Sequence, residues 1–285
     1  MQAHRPRPAA QCIATPQAIG RAATLALYDE LALSPKPGLV TLEDAGSHAD
    51  MDASTFVRSL FALRSYFPRI AALGEGGADF AALERCGMAA EARMLAATGG
   101  INTHRGAVFQ LGLLCAAAGA LAQAGQPLQP QAVRGMLRAR WGAALAARAQ
   151  RAPMLPGGLV ARRLGLRGAS HEAALGFPAL FETAVPALAS ARARGLAPRL
   201  ARLDTLFHVI AVLDDSNLAL RGGLQGLRDA QAAARGFLAA GGAAQPGALQ
   251  AAAAIGRDFV ARRLSPGGAA DTVAAACWLQ RVGAF

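Results

Sequence analysis

Thr98-Gly99-Gly100-Ile101-Asn102-Thr103-His104-Arg105-Gly106 opens the most apolar stretch of the chain. From Ala107 to Ala124 nearly every side chain is apolar or small, and Val108, Leu111, Cys115 and Ala118 recur at helical spacing. A segment apolar all round is a helix buried on most sides. Asn102 or Thr103 supplies an N-cap oxygen, and the Gly-Gly pair lets the backbone turn sharply before it. His104 and Arg105 then stand where a helix N-terminus carries partial positive charge, and a cation in the first turn costs roughly 0.3–1 kcal/mol. Two readings remain open. Either free amides and a basic pair receive a phosphate group, or a neutral histidine and a solvated arginine sit at an ordinary loop.

The remainder of the chain suits a helical frame around that segment. Its 285 residues are 53% hydrophobic and only 5% aromatic, alanine and leucine dominate, and β-branched runs are nearly absent, so helices are favoured over strands. The expected fold is an all-α, single-domain multi-helix bundle around a buried central helix. Upstream, Thr15-Pro16 starts a helix that runs to about Leu33. Phe56, Leu60, Leu63, Phe67 and Ile70 form one apolar stripe, and a further helix spans about Asp79 to Ala97. Downstream, Val133, Met136, Leu137, Trp141 and Leu145 mark another, Arg151 to Gly158 reads as a Pro/Gly-rich connection, and Ser170 caps a helix whose entrance carries Arg167 and His171. A long helix is expected from Arg202 to Arg221. On it Asp214, Asn217 and Arg221 share one stripe and Asp204, His208 and Asp215 the next. Polar groups stacked on an apolar helix are costly unless satisfied, which points to a lined polar cleft. No linker divides the chain, so the domain is taken as 15–285 after a flexible N-terminal segment, 1–14.

The formal charge of +11 comes from arginines scattered over many helices, without a basic run or an aromatic-interleaved strip. Neither a nucleic acid nor a membrane surface is therefore expected as partner. Gln110, Gly112 and Gly119 within the apolar run favour a core helix over a membrane span. Met1 to Gln11 lack the apolar core of a signal peptide, and Cys12, Cys86, Cys115 and Cys277 lack metal spacing, which fits reduced thiols and a cytoplasmic location.

Lys36 is the only lysine. It lies in Ser34-Pro35-Lys36-Pro37-Gly38, a proline-stiffened loop. A compact ammonium there suits a phosphate contact; a solvated lysine in a helix connection is the ordinary alternative. Between Glu43 and Asp52 stand four acids and a histidine: Glu43, Asp44, His48, Asp50 and Asp52. These are hard oxygen ligands for Mg²⁺ beside a polyphosphate, or Asp50 and Asp52 merely cap the next helix.

Five segments in order carry a resemblance: Ser-Pro-Lys-Pro-Gly-Leu-Val (34–40), Gly-Ser-His-Ala-Asp-Met-Asp (46–52), Gly-Ile-Asn-Thr-His-Arg-Gly-Ala-Val-Phe (100–109), Asp-Ser-Asn-Leu-Ala-Leu-Arg-Gly-Gly (215–223) and Ser-Pro-Gly-Gly-Ala-Ala-Asp (265–271). Over about residues 15 to 282 the chain resembles the triphosphoribosyl-dephospho-CoA synthase family. The wording at Ser47-His48 and around Gly168–Phe177 is more similar to the malonate decarboxylase branch than to the citrate lyase branch. Arg105 stands where relatives often carry Lys, Ser216 where Thr is common, and Thr41 where an acid often follows Gly-Leu-Val.

The resemblance implies an all-α enzyme that displaces adenine from ATP with the 2′-hydroxyl of 3′-dephospho-CoA, giving a prosthetic-group precursor that a separate transferase loads onto an acyl carrier protein. It implies Mg²⁺ with the nucleotide, held by Asp44, Asp50, Asp52 and Asp215. Catalysis is expected from Asp215, Asp50 and His104. The expected substrate contacts are Lys36, His48, Asn102, Thr103, Arg105 and Arg167, with Asn217, Arg221 and the glycine pairs Gly222-Gly223 and Gly267-Gly268. The oligomeric state is left open, a homodimer included. Two competing functions are a nucleoside-polyphosphate or ADP-ribosyl hydrolase, with water as acceptor, and a basic helical nucleic-acid-binding scaffold.

Overall fold

The computed structural model describes residues 14–285, so the expected flexible segment 1–14 lies almost wholly outside the described residues, as does Cys12. Every regular element among the described residues is helical, without a strand. Helix α1 (Pro16–Leu31) starts on the Thr15 cap with proline at its first position; α2 (Ala53–Leu63) and α3 (Tyr66–Glu75) follow. The stripe Phe56–Ile70 is therefore two helices, broken at Arg64-Ser65, because a turn that keeps the apolar positions in register leaves no trace in their spacing. Next come α4 (Phe80–Ala97), α5 (Arg105–Gln123) and α6 (Pro130–Ala149).

Helix α7 (Pro156–Arg163) takes the last three residues of the expected connection, Pro156 to Gly158, while Arg151 to Leu155 is non-helical as expected; Pro156 sits at the first turn, where a missing N–H costs nothing. Then come α8 (Ala169–Ala174), a π-helical turn (Ala179–Ala184), α9 (Val185–Ala193) and α10 (Pro198–Ile210). The expected Arg202–Arg221 helix does not exist as one rod. It stops at Ile210, Val212 to Asp215 form a bend, and α11 (Ser216–Ala239) starts anew on Asp215, with a kink at Gly223. Asp214 and Asp215 are loop and cap residues, so the helical stripes drawn through them do not form. A 3₁₀ turn (Gly242–Ala244), α12 (Ala248–Ala261) and α13 (Gly267–Arg281) complete the chain.

Two helices share the centre. In α5 every residue from Ala107 to Ala122 except Phe109 is buried, and in α13 every residue from Ala269 to Leu279 except Asp271 is buried. Helix α5 is long and apolar enough for a membrane span, but 83% of its apolar window lies inside the protein. Its glycines explain how: a Cβ on Gly119 would stand 2.0 Å from the Ala71 carbonyl oxygen, and one on Gly112 2.0 Å from the Tyr66 hydroxyl, so α3 approaches α5 backbone to backbone. Helices α1 and α13 pack together, and Trp278, fully buried, donates its indole N–H to the Ile19 carbonyl.

Candidate active site

Phe109 and Asp271, the two breaks in the buried runs of α5 and α13, line the same cleft. It is walled by the α5 residues Gly106, Phe109 and Gln110, by Arg167, Glu172 and Phe177 around α8, by the bend Leu213–Ser216, and by Gly268, Asp271 and Thr272 of α13. Three helix N-termini meet at its floor. Asp215 caps α11, its Oδ1 accepting the N–H groups of Asn217 at 2.8 Å and Leu218 at 3.4 Å, while its Oδ2 accepts the Ala269 N–H at 3.0 Å from the first turn of α13. Asp271 in turn accepts a hydrogen bond from the Ala107 N–H at the start of α5.

The first helical turn of α5 lacks an acid of its own because Asp271 supplies one from α13. The contact requires Gly106, where a Cβ would stand 2.0 Å from the Asp271 Oδ2. Burial first, then the charges of Glu30 and Asp215, push the Asp271 carboxyl well above the usual carboxylate range. Asp215 is raised too, by burial, against the opposing pull of its backbone N–H partners. The two acids differ in availability: both Asp215 oxygens are committed to backbone amides, whereas Asp271 accepts one and stays partly exposed at the cleft floor.

Several expected site residues have other partners. Arg105 is paired through its Nε with Glu91 of α4, which accounts for a cation in that first turn without invoking a phosphate. The N-cap position of α5 falls on His104 rather than on Asn102 or Thr103, and Asn102 supports the helix start from outside, its Oδ1 accepting the Arg105 N–H at 3.1 Å. His104 is buried, packs edge-on against Phe56 and shares its Nδ1 with the Ser59 hydroxyl at 2.6 Å; its Nε2 and the Thr103 hydroxyl are buried without hydrogen-bond partners among the described residues. Burial and the Lys36 charge hold the His104 pKa down at about 3, so the ring is neutral. Lys36 is not solvated: its side chain is 1% exposed and its ammonium is ion-paired with Glu30 of α1, with burial lowering its pKa. Glu30 escaped the sequence reading because it sits in an apolar helix outside every motif; its one signal is the Asp29-Glu30 pair near the helix end.

Arg221 donates to the His48 Nδ1 at 3.0 Å and to the Ser47 carbonyl at 2.9 Å, and the His48 Nε2–H faces the Ser265 hydroxyl at 3.0 Å. Since arginine only donates, His48 is the neutral Nε2–H tautomer, its pKa lowered to about 4 by burial and by Arg221. These contacts stitch segments 46–52, 215–223 and 265–271 together. The glycines serve the same packing. A Cβ on Gly222 would stand 2.5 Å from Leu264 Cδ2, one on Gly267 2.8 Å from Asn217 Nδ2, and one on Gly268 3.1 Å from Asp215 Oδ2, while Gly223 carries a positive φ of 64°.

The four acids expected to hold a metal do not assemble. Among the described residues no three His, Cys, Asp or Glu side chains converge as a metal site. Asp52 is spent on the capping box of α2, which holds its pKa at about 2; Asp44 accepts the Gly46 N–H at 2.7 Å, and Asp50 is exposed 3.8 Å from His48. Asp50 consequently lies apart from the cleft lining, and of the remaining expected residues Arg167, Asp215 and Gly268 line it directly.

A model of the CitG family, ATP:dephospho-CoA triphosphoribosyl transferase, matches residues 16–284. The chain belongs to this family. No solved structure matches it. Family membership makes the chain a transferase with ATP and dephospho-CoA as substrates. Four of the five segments meet in the fold: 46–52, 215–223 and 265–271 are stitched at His48 and Arg221, while 100–109 and 265–271 meet where Gly106 receives Asp271.

Proposed function

We propose that the cleft between α5, α8 and α13 is where the transferase joins the ribosyl C1 of ATP to the 2′-hydroxyl of 3′-dephospho-CoA with loss of adenine. The observation that supports this reading is the partly exposed Asp271 carboxylate, placed against the N-terminus of α5 and raised in pKa by burial and by neighbouring acids. A carboxylate so perturbed is a stronger base than a solvated one, which suits it to take the proton of an attacking hydroxyl. Asp271 replaces Asp215 in that role, and Asp215 becomes the residue that holds the floor in shape. The α5, α11 and α13 N-termini supply positive potential where the phosphates and the developing charge of the ribosyl centre need opposite neighbours.

The protein has no preformed cage for Mg²⁺ in this reading. A magnesium ion enters with the triphosphate, since Mg²⁺ characteristically keeps phosphate oxygens and waters as most of its ligands. The product's place follows the malonate decarboxylase branch, with a separate transferase loading it onto an acyl carrier protein in the cytoplasm. Incubation with ATP, Mg²⁺ and 3′-dephospho-CoA tests the reaction. One adenine should appear per triphosphoribosyl adduct, and adenine released equally well without the acceptor would make the protein a hydrolase instead.

A further inference from the structure

The cleft has a second end that neither the acids nor the helix N-termini explain. Phe109, Gln110, Glu172 and Phe177 line it, one helical turn along α5 from Gly106 and Asp271, which is about 5 Å. Phe109 and Phe177 meet edge to face with ring centroids 6.5 Å apart, and the Arg148 guanidinium lies 5.2 Å from the centre of the Phe109 ring. Phe177 holds a φ of +53°, an unfavourable backbone for a bulky residue, and its N–H is fixed on the Glu172 carbonyl at 2.7 Å. Strain of this kind persists where surrounding structure requires the side chain in one place. Gln110 is the odd residue in the buried run of α5. It is 8% exposed, yet among the described residues its amide makes no hydrogen bond, and it lines the cleft.

Its amide opens into the cleft, so a ligand seated there can take up both its donor and its acceptor. Aromatic surface with one free donor and acceptor pair at its edge matches a planar heterocycle. A glutamine amide can bond an adenine bidentately, its oxygen accepting from the exocyclic amino group and its nitrogen donating to the adjacent ring nitrogen. We propose that Phe109, Gln110 and Phe177 form the subsite for the base of the nucleotide, and that Gln110 selects adenine over a 6-oxo purine. On this N6/N7 edge a 6-oxo purine presents two acceptors, O6 and N7, so whichever way the amide turns the Gln110 oxygen finds no donor. The inference rests on the transferase reading only for the identity of the nucleotide, and Glu172, whose Oε2 accepts the Ala179 N–H at 3.2 Å, closes the rim.

Calorimetric titration with Mg·ATP and Mg·ITP, without acceptor, tests it. Wild type should bind ATP about tenfold more tightly than ITP, within the discrimination a bidentate contact provides. Gln110→Leu and Gln110→Met, checked for native helicity, should each bind the two nucleotides equally, with the loss falling on ATP. Equal affinities in wild type, or an ATP preference that survives both substitutions, would overturn the subsite. If the Gln110-dependent preference is present but no triphosphoribosyl adduct forms with 3′-dephospho-CoA, the subsite stands and the transferase reading of the cleft falls.

Discussion

The Asp215 Oδ2 accepts the backbone N–H of Ala269 at 3.0 Å, so a residue that caps α11 also caps α13. One carboxylate thereby fixes the relative position of two helix starts, and Leu213 and Asp214 just before it become part of the cleft wall. Asp215→Asn puts an amide nitrogen where an acceptor is needed, facing backbone N–H donors in a buried site. The loss of a cap hydrogen bond with an unsatisfied buried donor costs about 1–3 kcal/mol, so thermal unfolding should show a lowered Tm.

Asp271→Asn should do the opposite to stability. Its folded pKa is raised above the unfolded value, so at neutral pH ionising it in the fold opposes folding. The stability it contributes is complete below the unfolded pKa, near 4, and is lost as pH rises through the folded value. An asparagine keeps an acceptor for the Ala107 N–H and removes the charge. Melting at pH 7 should give an unchanged or higher Tm than wild type, and a fall comparable to that of Asp215→Asn would show that Asp271 is a structural anion.

Lys36 and Glu30 form a buried ion pair, and removing one member of such a pair typically costs about 3–5 kcal/mol. Lys36→Met should lose most of that range in chemical denaturation. The double variant Lys36→Met with Glu30→Gln should recover much of it, because the stranded carboxylate is gone. Equal losses in single and double variants would show that the pair is not energetically coupled.

Arg105→Ala should leave ATP affinity within about twofold of wild type, since a partly exposed pair such as Arg105–Glu91 contributes at most about 1 kcal/mol and does so to stability. Tenfold weaker ATP binding in calorimetry would return Arg105 to the phosphate site.

His48 predicts an acid limit. Its folded pKa of about 4 lies below the ordinary 6.5, so the unfolded chain takes up a proton that the fold refuses. Stability contributed by the neutral ring is complete above pH 6.5 and is lost as pH falls from there to about 4. His48→Gln should flatten the Tm profile in that window relative to wild type, and parallel profiles would mean that the ring protonates freely in the fold.

The helical class and the burial of α5 were legible because apolar spacing reports burial directly: Ala107 to Ala122 leaves no polar face except Gln110. Helix ends were less legible. Nothing in the spacing of Phe56 to Ile70 marks the turn at Arg64, and the Arg202–Arg221 segment conceals a break after Ile210 and a fresh start on Asp215, which accepts amides from α11 and from distant α13. The cleft itself was only half visible. Arg167, Asp215 and Gly268 stand out by type and motif, but Glu30, Glu91 and Asp271 matter through partners on other helices, and sequence distance hides such pairs. The misplaced cations before α5 were real signals whose causes, Glu91 and the buried surroundings of His104, lie on α2 and α4.

Whether Asp271 takes the proton of the acceptor hydroxyl is read from single-turnover adenine release from Mg·ATP with saturating 3′-dephospho-CoA in wild type and Asp271→Asn. Removing a general base slows the chemical step by about 10²–10⁴. Asp271→Asn should lose that much with ATP affinity retained, and adenine release at the wild-type rate would show that another group takes the proton.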